Sequence, residues 1–160
     1  MSPPSEEFAL FYRRPWQPTS RWAAVICGSV SDGEDIAQDA FLRIRDRYDQ
    51  LDDPAAYLRK AIVNLSRNQH RTTTRRDARE ARASRLQHNA PRGPDDVTDG
   101  EIVAALRQLS FDQRVAVALR YWAGWTDDEI ADTLGCRPAT VRSHLKRGLS
   151  RLVPILESHR

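Results

Sequence analysis

Apolar residues in this chain return every three or four positions and never settle into the strict alternation of a half-buried strand, so helices are expected throughout. Ile36, Ala37, Ala40, Phe41 and Ile44 line one side of such a pattern and leave Asp32, Asp35, Asp39 and Arg43 on the wetter side. That helix is expected to start at Ser31-Asp32-Gly33-Glu34, where the serine oxygen can accept a backbone N–H and the glutamate can reach back. Upstream, Glu6 to Tyr12 and Arg21 to Cys27 predict two short helices, with Pro15 and Pro18 breaking the pattern between them. Downstream, Asp49 to Asp53 forms a polar loop. Asp53 can cap a helix whose first residue is Pro54 and whose buried stripe is Tyr57, Leu58, Ala61, Ile62 and Leu65. Beyond Arg67 the apolar period fades into Arg, Thr and Ser.

The period resumes after Asn89-Ala90-Pro91-Arg92-Gly93-Pro94, which punctuates the chain as a linker does. Ile102, Ala105, Leu106 and Leu109 form one helical stripe, and Val115, Ala118, Leu119 and Trp122 another. Thr126-Asp127-Asp128-Glu129 is a further capping box; Ile130, Ala131 and Leu134 follow it, and Gly135 permits a left-handed turn. The last helix carries Val141, Leu145, Leu149 and Leu152. At 160 residues the chain suits one domain or two small ones. The fold class is therefore all-α, with a first domain over residues 1–79, a basic linker over 80–97 and a second domain over 98–160.

Charge changes this picture through its distribution, since the net value is only +3. Arg67, Arg71, Arg75, Arg76, Arg79, Arg82, Arg85 and Arg92 form one basic stretch, and Arg137, Arg142, Lys146, Arg147 and Arg151 another. Acids gather at Asp32 to Asp39, Asp95 to Glu101 and Asp127 to Asp132. Cys27 and Cys136 stand apart without metal-ligand spacing, so no structural disulfide, metal or cofactor is expected. The longest apolar run, Trp22 to Cys27, falls far short of the roughly 20 residues that span a bilayer. With no signal pattern at the amino terminus either, the expectation is a cytoplasmic protein without membrane insertion. The four tryptophans, Trp16, Trp22, Trp122 and Trp125, are expected as core or interface anchors.

Thr126 to Arg151 has the layout of a helix-turn-helix, whose second helix enters the DNA major groove. Stepping about 100° per residue from Val141 centres the apolar stripe near Leu145. Ala139, Thr140, Ser143, Arg147 and Ser150 then face outward, flanked by Arg142 and Lys146. Arginine pairs bidentately with guanine, serine bonds base or phosphate, and lysine neutralises phosphate, so this face suits a duplex. A solvated helix face would carry similar charge, but the cap, turn, seam and basic surface agree with one another.

Both halves together resemble the extracytoplasmic-function sigma factors, including an actinobacterial branch of that family. Gly33-Glu34-Asp35-Ile36-Ala37-Gln38-Asp39-Ala40-Phe41-Leu42 resembles the family's acidic region 2 helix, and Ala56-Tyr57-Leu58-Arg59-Lys60-Ala61-Ile62-Val63-Asn64-Leu65 resembles the promoter-melting helix after it. Leu109-Ser110-Phe111-Asp112-Gln113-Arg114 and Ala139-Thr140-Val141-Arg142-Ser143-His144-Leu145-Lys146-Arg147 resemble region 4. Tyr57 stands where the family usually has tryptophan, and Ser110 where it commonly has proline; an aromatic ring and a helix-capping hydroxyl are respectively kept.

The resemblance implies a non-enzymatic subunit that binds core RNA polymerase and directs it to promoters. Glu34, Asp35, Gln38 and Asp39 would dock on the clamp helices of the largest subunit, and the second domain on the flap of the second-largest. Asp49, Leu51, Asp52, Arg59, Lys60, Asn64, Arg67 and Arg71 would capture and hold a strand of the minus 10 element. Arg137, Thr140, Arg142, Ser143, Lys146 and Arg147 would read the minus 35 duplex. An anti-sigma factor is a further partner the family implies.

Two other readings fit parts of the sequence. One is an autonomous helix-turn-helix regulator whose first half serves for dimerisation or ligand sensing, though no dimer seam or ligand-pocket signature is evident. The other is a nuclease with a metal on Asp32, Glu34, Asp35 and Asp39; hard cations favour carboxylates, but consecutive acids on one helix point in different directions.

Overall fold

A computed structural model describes residues 5–14, 16–83 and 97–158. Every regular element among them is helical: α1 (Glu6–Arg13), α2 (Trp16–Cys27), α3 (Val30–Arg45), a short 3₁₀ turn at Tyr48–Gln50, α4 (Pro54–Ala83), α5 (Val97–Leu106), α6 (Phe111–Tyr121), α7 (Asp127–Leu134) and α8 (Pro138–Ser158). This is the expected all-α class. The linker assigned to residues 80–97 falls mostly on 84–96, outside the described residues.

Helices start where a side chain satisfies their free N–H groups. Ser5 accepts from the Phe8 amide at 3.2 Å, and Asp53 Oδ1 from the Ala56 amide at 3.0 Å, with Pro54 in the first helical position. Ser110 and Thr126 each close a full capping box, with Gln113 and Glu129 respectively. Two expected starts are corrected. The cap of α3 is Ser29, which accepts from the Asp32 amide at 3.4 Å, and Ser31 already lies inside the helix. Helix α2 begins at Trp16 instead of Arg21, because Pro18 occupies the first turn, where its missing N–H costs nothing.

In the first half, α2 and α3 cross at Gly33. A Cβ there would come within 2.9 Å of the Ala23 carbonyl carbon and closer still to the Ala24 backbone, so the crossing needs glycine. Ile26, Phe41, Ile44 and Ile62 are fully buried around it. An aromatic group closes the outer end: Tyr12 meets Phe41 edge-on at 4.9 Å and stacks on Trp16 at 5.4 Å. The covered face of α4 is wider than its expected stripe. Val63 and Ser66 are buried, and the Ser66 hydroxyl lies 3.4 Å from Cys27 Sγ. Past the apolar stripe α4 stays helical to Ala83; residues 71–80 are exposed, and an Arg76–Glu80 pair at 2.9 Å supports the helix.

In the second half, α6 is the central helix, buried almost all round from Phe111 to Leu119; α7 and α8, with Ile130 and Val141 buried, pack against it, and α5, with Leu106 buried, packs on α8 and on α2. The α8 stripe runs along Val141, Gly148 and Leu152, while Leu145 is only partly buried. It is thus displaced from the expected centre at Leu145, because bare Gly148 lets α8 press on Val117. Two residues of the expected stripes emerge instead, Ile102 at 37% exposure and Trp122 at 53%. Trp22 and Trp125 are buried and Trp16 is partly so, whereas Trp122 is not a core anchor.

The halves meet along a seam. The C-terminal carbonyls of α2 are met by two arginines of the second half: Arg114 Nε donates to Ile26 O and Arg107 Nε to Gly28 O, each at 2.7 Å. A helix C-terminus carries partial negative charge, so guanidinium groups suit it.

Candidate nucleic-acid interface

Three charged faces emerge from this scaffold. On α3, burial of Ile36, Ala37, Ala40 and Phe41 turns Glu34, Asp35, Gln38 and Asp39 into solvent together. Helical geometry alone groups them, since residues three and four apart share a face. Among the described residues, no group of three or more His, Cys, Asp or Glu side chains is arranged to hold a metal ion.

The second face runs from the 3₁₀ turn onto α4. Asp49 and Asp52 are exposed and Leu51 is half-buried against the core, so the loop is anchored by its leucine and offers its acids. Lys60, Asn64 and Arg71 follow at helical spacing and are exposed. Arg59 and Arg67 differ, since the second half partly covers both. The Arg59 guanidinium lies 5.5 Å from the centre of the Trp125 ring, a cation–π distance, and Arg67 Nη2 donates to Thr133 O at 3.4 Å.

The third face belongs to α7, the turn and α8. Gly135 ends α7 in the left-handed region at φ 67°, and α8 starts at Pro138. Arg137, Thr140, Arg142, Ser143, Lys146 and Arg147 are all exposed on one side of this unit, opposite Val141, Gly148 and Leu152. Their setting differs in one case: Asp127 pairs with Arg120 and also, at 3.4 Å, with Arg142 Nη1, so an acid of α7 steadies one cation of the outer face.

Titration behaviour follows these surroundings. Hydrogen bonds from Thr126, first from its backbone N–H and then from its hydroxyl, hold the Glu129 carboxyl below its ordinary range; the nearby positive charges of Arg59 and Lys60 act in the same direction. Burial lowers the pKa of the Arg114 guanidinium. Burial also pushes the Cys27 thiol up to about 11, against a smaller opposing effect of the Ser66 hydrogen bond. Cys27 is therefore a packed thiol rather than a nucleophile.

Sequence reasoning missed the seam. Arg107, Arg114, Trp125 and the stack of His70 on Phe111 at 4.9 Å join elements far apart in the chain. The only local signal was Arg114, a cation at the head of the apolar run Val115 to Leu119.

Residues 17–76 match the family model described as Sigma-70 region 2, and residues 99–152 match Sigma-70, region 4. The RNA polymerase sigma-E factor of Streptomyces coelicolor is 30% identical over 155 residues, covering 91% of this chain and 84% of the relative. The ECF RNA polymerase sigma factor SigL of Mycobacterium tuberculosis is 32% identical over 133 residues, covering 78% of this chain and 75% of that protein. In fold the chain is similar to the sigma factor RpoE in a co-crystal structure with the anti-sigma factor NepR from Bartonella quintana. The TM-score is 0.69 at 23% identity, over 98% of this chain and 100% of the other. Among the described residues no helix is long and apolar enough to cross a membrane.

Proposed function

This chain belongs to the extracytoplasmic-function sigma factors, non-enzymatic subunits that direct RNA polymerase to promoters, and on that premise we propose how its three faces divide the work. Residues 1–79 form the polymerase-docking and strand-capturing domain, 80–97 the linker and 98–160 the duplex-reading domain. Glu34, Asp35, Gln38 and Asp39 dock on the clamp helices of the largest polymerase subunit, where charge complementarity fixes orientation. The second domain rests on the flap of the second-largest subunit. Arg137, Thr140, Arg142, Ser143, Lys146 and Arg147 read the minus 35 duplex, with Arg147 central to the outward face. Asp49, Leu51, Asp52 and Asn64 receive a base of the minus 10 strand, and Arg59, Lys60, Arg67 and Arg71 hold its phosphates. Docking on polymerase makes the second DNA contact effectively intramolecular, so individually weak contacts add up to promoter affinity. An anti-sigma protein is a further partner of the same faces, and the work is done in the cytoplasm.

The observation that carries this reading is the segregation of charge: Glu34, Asp35 and Asp39 exposed together around Gln38 on α3, and a contiguous basic face on α8. Run-off transcription with core polymerase from the source organism and a genomic promoter pool tests it. Wild type should launch discrete transcripts, and Arg147→Ala should weaken selection about tenfold or more, the worth of one good base contact. A core polymerase left inactive by a chain that still selects duplexes by itself would favour the autonomous regulator.

A further inference from the structure

A groove of about 440 Å³ opens between α1 and α3 and shares only Gln38 with the three charged faces. Helix α1 lines it with Phe8, Ala9 and Tyr12, and α3 with Phe41 and Leu42, so its walls are apolar and largely aromatic. Phe41 and Phe8 are buried while Leu42 is 53% exposed, so the floor is fixed and the mouth is open. The volume falls within the roughly 300–1,000 Å³ of small-molecule sites.

Ring contacts give the groove a direction. Phe8 meets Tyr48, beyond the end of α3, at 5.7 Å, whereas Tyr12 meets Phe41 at 4.9 Å, so α1 runs antiparallel to α3. Arg13 therefore lies at the Gln38 end of the groove and Arg45 at the Ala9 end. These two arginines are not equivalent. Arg45 Nε is bound to Asp46 Oδ1 at 3.2 Å, which offsets its charge, whereas Arg13 pairs with no acid among the described residues. Among the described residues no carboxylate lines the groove. One end thus offers a free guanidinium beside an amide, and the rest offers apolar surface.

We propose that this groove binds a small molecule with an apolar body and one carboxylate, and that its occupation competes with polymerase docking. The Arg13 guanidinium and the Gln38 amide donate to the carboxylate oxygens, and the apolar body lies against Phe8, Tyr12 and Phe41. A guanidinium matches a planar carboxylate, and rings already held in place take an apolar body at little ordering cost. Gln38 is also one of the four residues assigned to the clamp helices, so a ligand held by it occupies part of that face. The competition rests on that assignment; the binding itself does not.

Octanoate is the probe and octanamide its neutral counterpart of equal length, each titrated into the full chain by calorimetry. Octanoate should saturate with a Kd on the order of 0.1–1 mM, in keeping with its size, and bind about tenfold tighter than octanamide, the worth of one charge-assisted bond. Arg13→Gln should erase that preference and Arg45→Gln should keep it. Ala9→Trp, which fills the groove, should weaken both ligands. The site is overturned by wild type that shows no saturable binding or no preference, by Arg13→Gln that still prefers octanoate, or by folded Ala9→Trp that binds as wild type does. Should Ala9→Trp lose its helical circular dichroism, the two arginine variants decide alone. Co-sedimentation with core polymerase tests the competition: saturating octanoate should lower the bound fraction of wild type but not of Arg13→Gln, and an undiminished wild-type fraction overturns it. Failure of the docking assignment registers separately, as wild type that does not co-sediment even without octanoate.

Discussion

The two halves each press one helix onto another at a glycine, yet the two crossings are not equivalent. At Gly33 an added Cβ would strike the backbone of Ala23 and Ala24. At Gly148 it would come within 3.1 Å of Val117 Cγ2, a side chain that can turn. Backbone cannot yield without moving a whole helix, whereas a methyl group can move by a rotamer change or a small shift. Each glycine also sits beside one of the charged faces: Gly33 next to Glu34 and Asp35, Gly148 next to Arg147. The face proposed to dock on polymerase is thus tied to a rigid contact, and the face proposed to read the duplex to a forgiving one.

Gly33→Ala should break the comparison most visibly. Forcing α3 off α2 is expected to cost about 3 kcal/mol, the upper part of the range for overpacked cores, and to reduce binding to core polymerase as the acidic face shifts. Urea denaturation measures the first and co-sedimentation with core polymerase the second. A midpoint equal to that of wild type would show that the crossing is not as close as described.

Thr126→Ala leaves both crossings intact and removes only the α7 cap. It should cost about 1 kcal/mol by the same denaturation, and Thr126→Ser should restore most of it. The box also has a pH sign. Because the folded pKa of Glu129 is lowered, its contribution is complete above the ordinary carboxylate pKa and is lost as pH falls through the lowered value. Glu129→Gln should flatten that part of the acid profile.

Gly148→Ala should have the smallest effect. Alanine gains about 1 kcal/mol of helix propensity over glycine, which offsets the adjustment of Val117, so stability should stay within about 1 kcal/mol of wild type. Duplex affinity should be retained. A loss as large as that expected for Gly33→Ala would mean that the second crossing is equally rigid and would erase the distinction.

Legibility differed by element for the same reason that the crossings differ. The caps at Asp53, Ser110 and Thr126, the left-handed end of α7 at Gly135 and the outward set on α8 were all readable, because each depends on residues within about one helical turn. The start of α2 was misplaced because Pro18 reads equally as a breaker or as a first-turn residue, and only the course of the chain around Trp16 chooses. The start of α3 was misplaced because two serines competed for one cap. On α8, leucines drew the expected stripe toward Leu145, while the true contact follows Gly148, which no hydrophobicity pattern marks.

The sequence by itself determined the all-helical class, the caps at Asp53, Ser110 and Thr126, the division of charge among three faces and the family to which they point. All of these are set by neighbours three or four residues apart, where helical geometry leaves little choice. Only the tertiary structure decided that Gly33 must be bare, that Arg107 and Arg114 reach carbonyls 79 and 88 residues away, and that Arg59 and Arg67 lie under the second half while Arg147 does not. Such contacts depend on how packed helices cross in space, and a basic side chain offers the same charge to a phosphate, an aromatic ring or a helix end until packing selects one.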